Sequence, residues 1–338
     1  MHMPYITTDN INRINAELTN FCNAACPMCA RYFIDGVLNK GKVNNTHTTL
    51  NFLKEKIGKK IISQLKHFSS CGNLGDASMN PQCLDIYTWL RSINKNCKLE
   101  LHTNGGARNK EFWVGLAKLN VSVVFAIDGL KNTNHLYRRN VKWQKLMDNI
   151  KSFIEAGGDA SWQMLVFKHN ESQIDSCKKL SIELGFRKFD VQQSARWSDF
   201  DHLGNWREFD KLPVDNYFLE KSSSLKPKKI GTGGNSDRMP IEVETLNSKN
   251  IICKSCDNAN KNYEIYIAAN GDVSPCCWLG DLSQHESKNI ISDYKKVNLN
   301  HSSLEEILNG EYFKALERGI KGEKGSYRLQ TCYFTCGL

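Results

Sequence analysis

The sequence has no long apolar run, and no window approaches the about 18 consecutive apolar residues that a membrane-spanning helix requires. Residues 1–6 lack the basic start, apolar stretch and small-residue cleavage site of a signal peptide. These two absences exclude a membrane-spanning protein and predict a protein of the cytoplasm.

The chain also lacks a concentrated charge of one sign. Its 45 Lys and Arg exceed its 36 Asp and Glu by 9, but basic and acidic residues alternate along the whole chain. The densest basic run, residues 221–229, holds lysines among serines, without interleaved aromatic residues or a groove-reading motif. The pattern therefore indicates a solvated surface and argues against a nucleic-acid partner.

Cysteine is too scarce for a disulfide scaffold, which has more than about 8% cysteine, yet more frequent than packing alone needs. The chain has 13 cysteines, three of them within residues 22–29 and six within residues 253–336. In a chain with no signal for an oxidising compartment, these two groups predict metal near both ends.

Between residues 12 and 192, β-rich runs alternate with amphipathic helical patterns. We expect strands at residues 13–18, 67–71, 98–102, 121–127, 161–167 and 187–192, and helices at residues 49–65, 82–94, 110–119, 143–156 and 171–184. A helix in each interval predicts an α/β fold whose parallel sheet has helices outside it. Six such units fit either a doubly wound sheet or an incomplete barrel.

The alternation ends after Trp197. Residues 197–250 are rich in Gly, Pro, Asn and Ser punctuation, which predicts bridging surface loops. Residues 263–273 then alternate around Asn270-Gly271, a strong hairpin signal, and residues 304–320 have a helical pattern. The sequence therefore predicts three parts: residues 12–196, 197–250 and 251–338.

The first strand leads into Cys22-Asn-Ala-Ala-Cys26-Pro-Met-Cys29. Three thiolates in one loop can hold three irons of a 4Fe-4S cluster and leave the fourth iron without a protein ligand. The alternative is a zinc knuckle, but structural zinc requires four ligands and this loop offers three.

The spacing of Cys22, Cys26 and Cys29 resembles the Cys-x3-Cys-x2-Cys signature of the radical S-adenosylmethionine (SAM) enzymes. The similarity extends over residues 12–196 and implies a partial (β/α)6, TIM-like barrel with a 4Fe-4S cluster and SAM. Segments after successive strands are similar to those that bind SAM in this family, although Asp76 stands where Glu is commoner. The implied SAM-binding residues are Gly72, Asn73, Leu74, Gly75, Asp76, Thr103, Asn104, Asp128, Arg138 and Gln192.

The cysteines of the last part resemble the SPASM domain, or its shortened twitch form, which carries auxiliary Fe-S clusters in this family. Six cysteines, two of them adjacent, favour one auxiliary 4Fe-4S cluster in a small α+β domain. The implied ligands are Cys276, Cys332 and Cys336 with Cys253 or Cys256 as the fourth. A four-thiolate zinc ribbon is the alternative. Cys83, Cys97 and Cys177 are most simply buried small apolar residues, whereas Cys71 stands beside the expected SAM segment.

The resemblance implies reductive cleavage of SAM to a 5′-deoxyadenosyl radical, which abstracts a hydrogen atom from a substrate. We expect a peptide or protein substrate and a flavodoxin- or ferredoxin-type electron donor. A small-molecule dehydrogenase or epimerase acting on a sugar, cyclitol or nucleoside is the alternative enzyme. A non-catalytic Fe-S or zinc protein is an alternative of another class.

The catalytic side chains expected at the barrel mouth are His169, Asp76 and Arg196. A histidine has an unperturbed pKa near ~6.5, which suits proton transfer at neutral pH. For His169 the alternative is a loop histidine that caps the helix beginning near Asn170.

Overall fold

The computed structural model describes residues 6–194, 196–203, 205–225, 241–242, 251, 253, 256–257, 262–280, 282 and 286–336. Six parallel strands lie side by side in chain order within one sheet. They are β1 (Arg13–Ala16), β2 (His67–Ser70), β3 (Lys98–Thr103), β4 (Val121–Ala126), β5 (Ala160–Val166) and β6 (Lys188–Gln193). The expected α/β fold is confirmed, and each strand lies where the sequence predicts it.

Helices connect these strands. They are α1 (Leu50–Lys56), α2 (Gly58–Gln64), α3 (Cys83–Ile93), α4 (Lys110–Lys118), α5 (Asn134–Tyr137), α6 (Trp143–Glu155) and α7 (Ile174–Glu183). The single helix expected at residues 49–65 is wrong, because Gly58, at the junction of α1 and α2, has a φ of +73°. Such a left-handed residue interrupts an α-helix. No helix among the described residues is long and apolar enough to cross a membrane.

The two faces of the sheet differ in polarity. Leu99 and Leu101 of β3 are buried, whereas Glu100 and His102 between them are half-buried. Because neighbouring side chains of a strand point to opposite faces, the leucines belong to the helix-packed core and the polar pair to the inner face of the barrel. Trp113 of α4 packs in that core.

Residues 198–220 form two antiparallel hairpins instead of loops alone. The first pairs β7 (Ser198–Phe200) with β8 (Trp206–Glu208), and the second pairs β9 (Lys211–Val214) with β10 (Tyr217–Glu220). The second hairpin reaches the end of β5, where the amide of Lys168 donates to the carbonyl of Glu220. Residues 226–240 and 243–250 of the predicted bridge lie outside the described residues.

The C-terminal part extends the barrel sheet through β12 (Cys256–Asp257), β13 (Asn262–Ile267) and β14 (Val273–Ser274). A separate two-stranded sheet pairs β11 (Ile241–Glu242), from the predicted bridge, with β15 (Tyr327–Arg328). The hairpin predicted around Asn270 is confirmed by β13 and β14. Strand β13 also pairs in parallel with β1, placing Arg13 beside Glu264. The C-terminal part therefore supplies an outer strand of the barrel sheet.

Helices complete the C-terminal part. They are α8 (Leu304–Leu308), α9 (Glu311–Lys321) and α10 (Gln330–Cys336). The expected helix at residues 304–320 is divided at Gly310, which is extended and precedes α9. Ser303 begins α8 with a capping box to Glu306.

Candidate active site

The loop after β1 gathers three cysteines. Cys26 is buried, and Cys22 and Cys29 are partly buried. The amide of Ala24 donates to Cys22 Sγ over 3.4 Å, and the amide of Cys29 donates to the Cys26 carbonyl over 3.1 Å. The backbone of the loop therefore turns tightly around the sulfur atoms.

Two side chains from elsewhere direct N–H groups at these sulfurs. Asn104 Nδ2 lies 3.6 Å from Cys22 Sγ, and Arg138 Nη1 lies 3.6 Å from Cys26 Sγ. Such donors stabilise negative charge on sulfur. The turn after β3 and the segment after β4 therefore both approach the cysteine loop.

The chemistry of this donor set fits a metal cluster. Desolvation by burial raises the pKa of Cys22 to about 12 and that of Cys26 to about 11. The thiols are therefore neutral at pH 7 without a metal, whereas a bound metal cation deprotonates its thiol ligands. One buried and two partly buried thiols, with N–H donors aimed at two of them, suit a cubane bound through three irons.

Asp76 holds the turns after β2 and β3 together. Its Oδ1 accepts from the amide and hydroxyl of Ser78 at 3.0 and 2.7 Å. Its Oδ2 accepts from the Asn104 amide at 2.7 Å, and the Thr103 hydroxyl lies 2.9 Å from each oxygen. This buried carboxylate therefore positions Thr103 and Asn104; its direct role toward SAM or substrate stays a prediction.

Close packing explains two glycines in the segment from Gly72 to Asp76. A Cβ on Gly72 would lie 2.1 Å from the Gly75 carbonyl oxygen, and one on Gly75 would lie 1.8 Å from the Thr19 carbonyl oxygen. Both contacts are with backbone atoms that cannot move aside. Only glycine therefore allows the segment to fold against the cysteine loop.

Glu17 is a site residue that the sequence analysis missed. One carboxylate oxygen accepts from the amides of Leu74 and Gly75 at 2.5 and 3.0 Å, and the other accepts from the Tyr266 hydroxyl at 2.9 Å. Glu17 is buried. An acidic residue directly after β1, between the apolar residues Ala16 and Leu18, was the available signal.

Asp128 and Arg138 form a buried ion pair beside the cysteine loop. Arg138 Nε donates to Asp128 Oδ2 over 2.6 Å, and Asp128 Oδ1 accepts from the Leu165 amide at 2.6 Å. Burial raises the pKa of Asp128 against the opposing effect of Arg138. Because Arg138 also contacts Cys26, this pair connects β4 and β5 to the cysteine loop.

His169 stacks on Phe167, with ring centroids 5.6 Å apart and an interplanar angle of 8°. Neither buried ring nitrogen has a hydrogen-bond partner among the described residues. Asn170 makes the local hydrogen bonds, accepting from the Phe167 amide at 2.8 Å and donating to the Asp128 carbonyl at 2.9 Å. Desolvation lowers the pKa of His169 to about 4, so the imidazole is neutral at pH 7.

The other predicted residues of the mouth follow β6 or lie on it. Gln192 is partly buried and donates to Asp190 Oδ2 over 3.1 Å. Arg196 is exposed, and its amide donates to the Ser194 hydroxyl at 3.3 Å. Among the described residues, no hydrogen bond or ion pair joins either side chain to the cysteine loop, so their roles stay predictions.

The C-terminal cysteines form a second group, in which Cys253 is buried and the others described are partly buried. Desolvation raises the pKa of Cys276, and the nearby thiols of Cys332, Cys277 and Cys253 raise it further. Burial raises the pKa of Cys332 as well, and the nearby thiols of Cys253 and Cys336 raise it further. The side chain of Cys256, the other predicted fourth ligand, lies outside the described residues.

Cys277 has different neighbours from Cys276. Desolvation raises its pKa to about 12, with further increases from Cys71 and Glu264. Its carbonyl oxygen accepts from Asn73 Nδ2 at 2.7 Å. The two adjacent cysteines therefore separate, one toward the C-terminal thiols and the other toward the segment after β2.

Comparison with known families matches both cysteine groups. The Radical SAM superfamily profile matches residues 16–180, and the SPASM iron-sulfur cluster-binding domain profile matches residues 253–337. A search of the curated proteins gives no significant match.

Solved structures share the fold. SuiB from Streptococcus suis has a TM-score of 0.57 at 15% identity, over 92% of this chain and 68% of SuiB. Its complex with the precursor peptide SuiA has a TM-score of 0.55 at 13% identity, over 95% of this chain and 76% of that chain. The anSMEcpe complex with AdoMet and the Cp18Cys peptide has a TM-score of 0.56 at 15% identity, over 90% of this chain and 81% of that chain.

The partial barrel is confirmed by these structures, and each of the two family matches covers one of the two cysteine groups. The cofactors are a 4Fe-4S cluster, SAM and auxiliary Fe-S centres, and the non-catalytic alternative is excluded. The chain belongs to the radical SAM superfamily and is a radical SAM enzyme with a C-terminal SPASM iron-sulfur domain.

Proposed function

We propose that this enzyme abstracts a hydrogen atom from one residue of a peptide or protein and thereby oxidises, cross-links or epimerises it. The supporting observation is the fold shared over 95% of the chain with SuiB bound to SuiA and over 90% with anSMEcpe bound to Cp18Cys. Both of those complexes hold peptides at TM-scores above 0.5.

The residues of the cysteine loop suit the cluster, and their neighbours suit SAM. We assign Cys22, Cys26 and Cys29 as the three protein ligands, with Asn104 and Arg138 as donors to their sulfurs. The bound cluster and SAM together supply a 5′-deoxyadenosyl radical. SAM would lie against the backbone of Gly72–Asp76, Thr103 and Asn104, near Asp128 and Gln192.

The C-terminal thiols suit one auxiliary 4Fe-4S cluster. We assign its ligands as Cys253, Cys276, Cys332 and Cys336. The Cys276 thiol neighbours Cys332 and Cys253, and the Cys332 thiol neighbours Cys253 and Cys336. Four thiolates match the usual ligation of such a cluster. A flavodoxin or ferredoxin would deliver the electron that reductive cleavage of SAM consumes.

Deuterium transfer tests the substrate class. Anaerobically reconstituted enzyme, dithionite and SAM would be incubated with synthetic peptides, each carrying one fully deuterated residue type. A peptide substrate transfers deuterium into 5′-deoxyadenosine, which mass spectrometry measures.

A parallel set of deuterated sugars, cyclitols and nucleosides serves as the comparison. Transfer from that set with none from any peptide would overturn the peptide assignment. Transfer from a peptide would establish it and identify the residue type that reacts.

A further inference from the structure

One peptide group in the segment after β2 is held at both ends by buried side chains of opposite charge type. The amide of Gly75 donates to Glu17 Oε1 over 3.0 Å, and the carbonyl oxygen of Leu74 accepts from Arg31 Nη1 at 2.7 Å. These two backbone groups belong to the single peptide group that joins Leu74 to Gly75. We call Glu17, Arg31 and this peptide group the peptide clamp.

The two side chains match the dipole of the peptide group. Its N–H end is positive and faces the carboxyl group of Glu17, whereas its carbonyl end is negative and faces the guanidinium of Arg31. A half-turn of this peptide group would direct the carbonyl at the acceptor and the N–H at the donor. Both hydrogen bonds would then be lost, so the clamp fixes one orientation.

The segment needs such a restraint because Gly72 and Gly75 both belong to it. Glycine permits backbone conformations that other residues exclude. The close packing of Gly75 against Thr19 explains why a larger residue does not fit there, but it does not determine which way the neighbouring peptide group points. The clamp supplies that restraint.

Burial makes Arg31 an expensive residue for the fold alone. Arg31 is only 6% exposed, and its Nη1 donates to the carbonyl oxygens of Asn20 and Leu74. Among the described residues no carboxylate pairs with its guanidinium, and its Nε has no hydrogen-bond partner. A buried cation without a counter-ion lowers the free energy of unfolding. Residues that break such a rule are expected at functional sites.

Glu17 also orients the preceding peptide group. Its Oε1 accepts from the Leu74 amide at 2.5 Å, and because the N–H and C=O of a trans peptide point in opposite directions, the Asn73 carbonyl is directed away from Glu17. The carbonyl oxygens of Gly72, Asn73 and Gly75 accept no hydrogen bond from the described residues. The segment therefore offers three free acceptors to a ligand that carries N–H donors.

Tyr266 connects the clamp to the C-terminal part. Its hydroxyl donates to Glu17 Oε2 over 2.9 Å, and both residues are buried. With hydrogen bonds to both oxygens, the carboxyl group of Glu17 is held against rotation. Strand β13, which carries Tyr266, therefore fixes the acceptor end of the clamp.

We propose that Glu17 and Arg31 are positioning residues for SAM, and that Tyr266 holds Glu17 for this role. They fix the Leu74–Gly75 peptide group and so prepare the segment for the cofactor. This inference rests on the proposed place of SAM against Gly72–Asp76 and is independent of the substrate. It makes SAM affinity depend on a side chain of the C-terminal part.

Equilibrium binding of labelled SAM to the reconstituted enzyme, without substrate, tests the clamp. Arg31→Met removes the donor to the Leu74 carbonyl and should raise the Kd of SAM at least ~10-fold, since a hydrogen bond from a charged group is lost. Arg31→Lys keeps a charged donor and should raise it less than ~3-fold. Iron content and the electron paramagnetic resonance signal of the reduced enzyme without SAM should stay as in the wild type, because the clamp bonds none of the cysteine sulfurs.

A double variant tests whether the two side chains act on the same peptide group. Glu17→Gln removes the charge but keeps an acceptor, and should raise the Kd of SAM about 3-fold. Because Glu17 and Arg31 share one peptide group, their effects should not multiply. Glu17→Gln with Arg31→Met should bind SAM at least ~3-fold more tightly than the product of the two single effects predicts.

Arg91→Met is the matched control for Arg31→Met. Arg91 also donates to backbone carbonyls, those of Leu119 and Cys97 at 2.9 and 2.8 Å, but at the opposite end of the sheet. It should lower the unfolding temperature and leave the Kd of SAM within ~2-fold of the wild type. Wild-type affinity in Arg31→Met, or an equal loss in Arg91→Met, would overturn the clamp.

Tyr266→Phe tests the connection to the C-terminal part and should raise the Kd of SAM about 3-fold. Its control is Tyr312→Phe, a buried tyrosine whose hydroxyl contacts Ser287 instead, and which should bind SAM like the wild type. If Arg31→Met fails to hold iron, Tyr266→Phe decides, and an unchanged Kd there overturns the inference. Failure of the peptide proposal in the deuterium assay would leave these binding results intact.

Discussion

The side-chain amide of Asn73 donates a hydrogen bond to the carbonyl oxygen of Cys277 over 2.7 Å. Asn73 belongs to the segment where SAM is expected, and Cys277 directly follows a proposed auxiliary-cluster ligand. Glu17 reinforces the contact, since it binds Leu74 and Tyr266 together. The two iron-sulfur regions are therefore connected by short polar contacts and share one wall of the barrel.

Removal of one ligand of the first cluster should stop SAM cleavage. Cys26→Ala should lower 5′-deoxyadenosine formation at least ~100-fold, because no other described thiol of that loop can replace the lost iron ligand. Chromatography of the reduced enzyme with SAM measures the product. Cys177→Ala, in the helix layer, is the control and should retain cleavage; cleavage by Cys26→Ala at the wild-type rate would contradict the assignment.

Replacing Cys276 and replacing the adjacent Cys277 should have different effects on the iron content of the protein. Two cubanes give about eight irons per chain, and Cys276→Ala should reduce this to about four. Cys277→Ala should retain about eight, because its thiol neighbours Cys71 instead of the C-terminal group. Iron and zinc analysis of reconstituted protein measures both, and loss of iron in Cys277→Ala alone would reverse the assignment.

Replacing the Asp76 carboxylate by the amide of asparagine should destabilise the protein. In Asp76→Asn the nitrogen must face either the amide of Ser78 at the Oδ1 position or that of Asn104 at the Oδ2 position. Two N–H groups then oppose each other in a buried site, which costs about 2–4 kcal/mol of unfolding free energy. Denaturant unfolding and SAM binding should both weaken. Asp85→Asn on the exposed face of α3 is the control.

Because the His169 imidazole is neutral in the folded protein at pH 7, we expect the protein to lose stability in acid. Its pKa is lowered to about 4 in the folded protein, against ~6.5 in an unfolded chain. Between these values the unfolded state binds a proton that the folded state does not, so stability is complete above pH 6.5 and declines as the pH falls toward 4.

His169→Phe, which keeps the stack on Phe167, should remove part of this decline. Because the ring is partly exposed, we expect only about 1 kcal/mol between pH 7.5 and 5. Thermal unfolding of the reconstituted enzyme at the two pH values measures the difference. His301→Phe, at an exposed site, should behave like the wild type; equal acid sensitivity of His169→Phe and the wild type would remove His169 as the cause.

Local patterns predicted the parallel strands to within two residues at each end. The buried alternation of β3, for example, depends only on neighbouring residues, and the cysteine spacing after β1 is equally local. The split at Gly58 was missed because a helical periodicity does not reveal a left-handed residue. The hairpins of residues 198–220 were missed because their strands are only three or four residues long.

Contacts between distant residues could not be predicted from the sequence. Glu17 binds Tyr266 across 249 positions, and no periodicity records such a pairing. The divergence of Cys276 and Cys277 depends on the turn that carries them, so spacing alone left both open.

The pairing of β13 with β1 constrains the order in which the protein folds during synthesis. Glu264, which pairs with Arg13, is synthesised 251 positions later, so the β1 edge of the sheet stays uncovered until then. At about 5–20 residues per second, a ribosome leaves β1 without this neighbour for roughly 13–50 seconds. An open strand edge invites pairing with other chains. The brevity of β1 and the polar side chains of Arg13 and Asn15 are features that limit such pairing at an open strand edge.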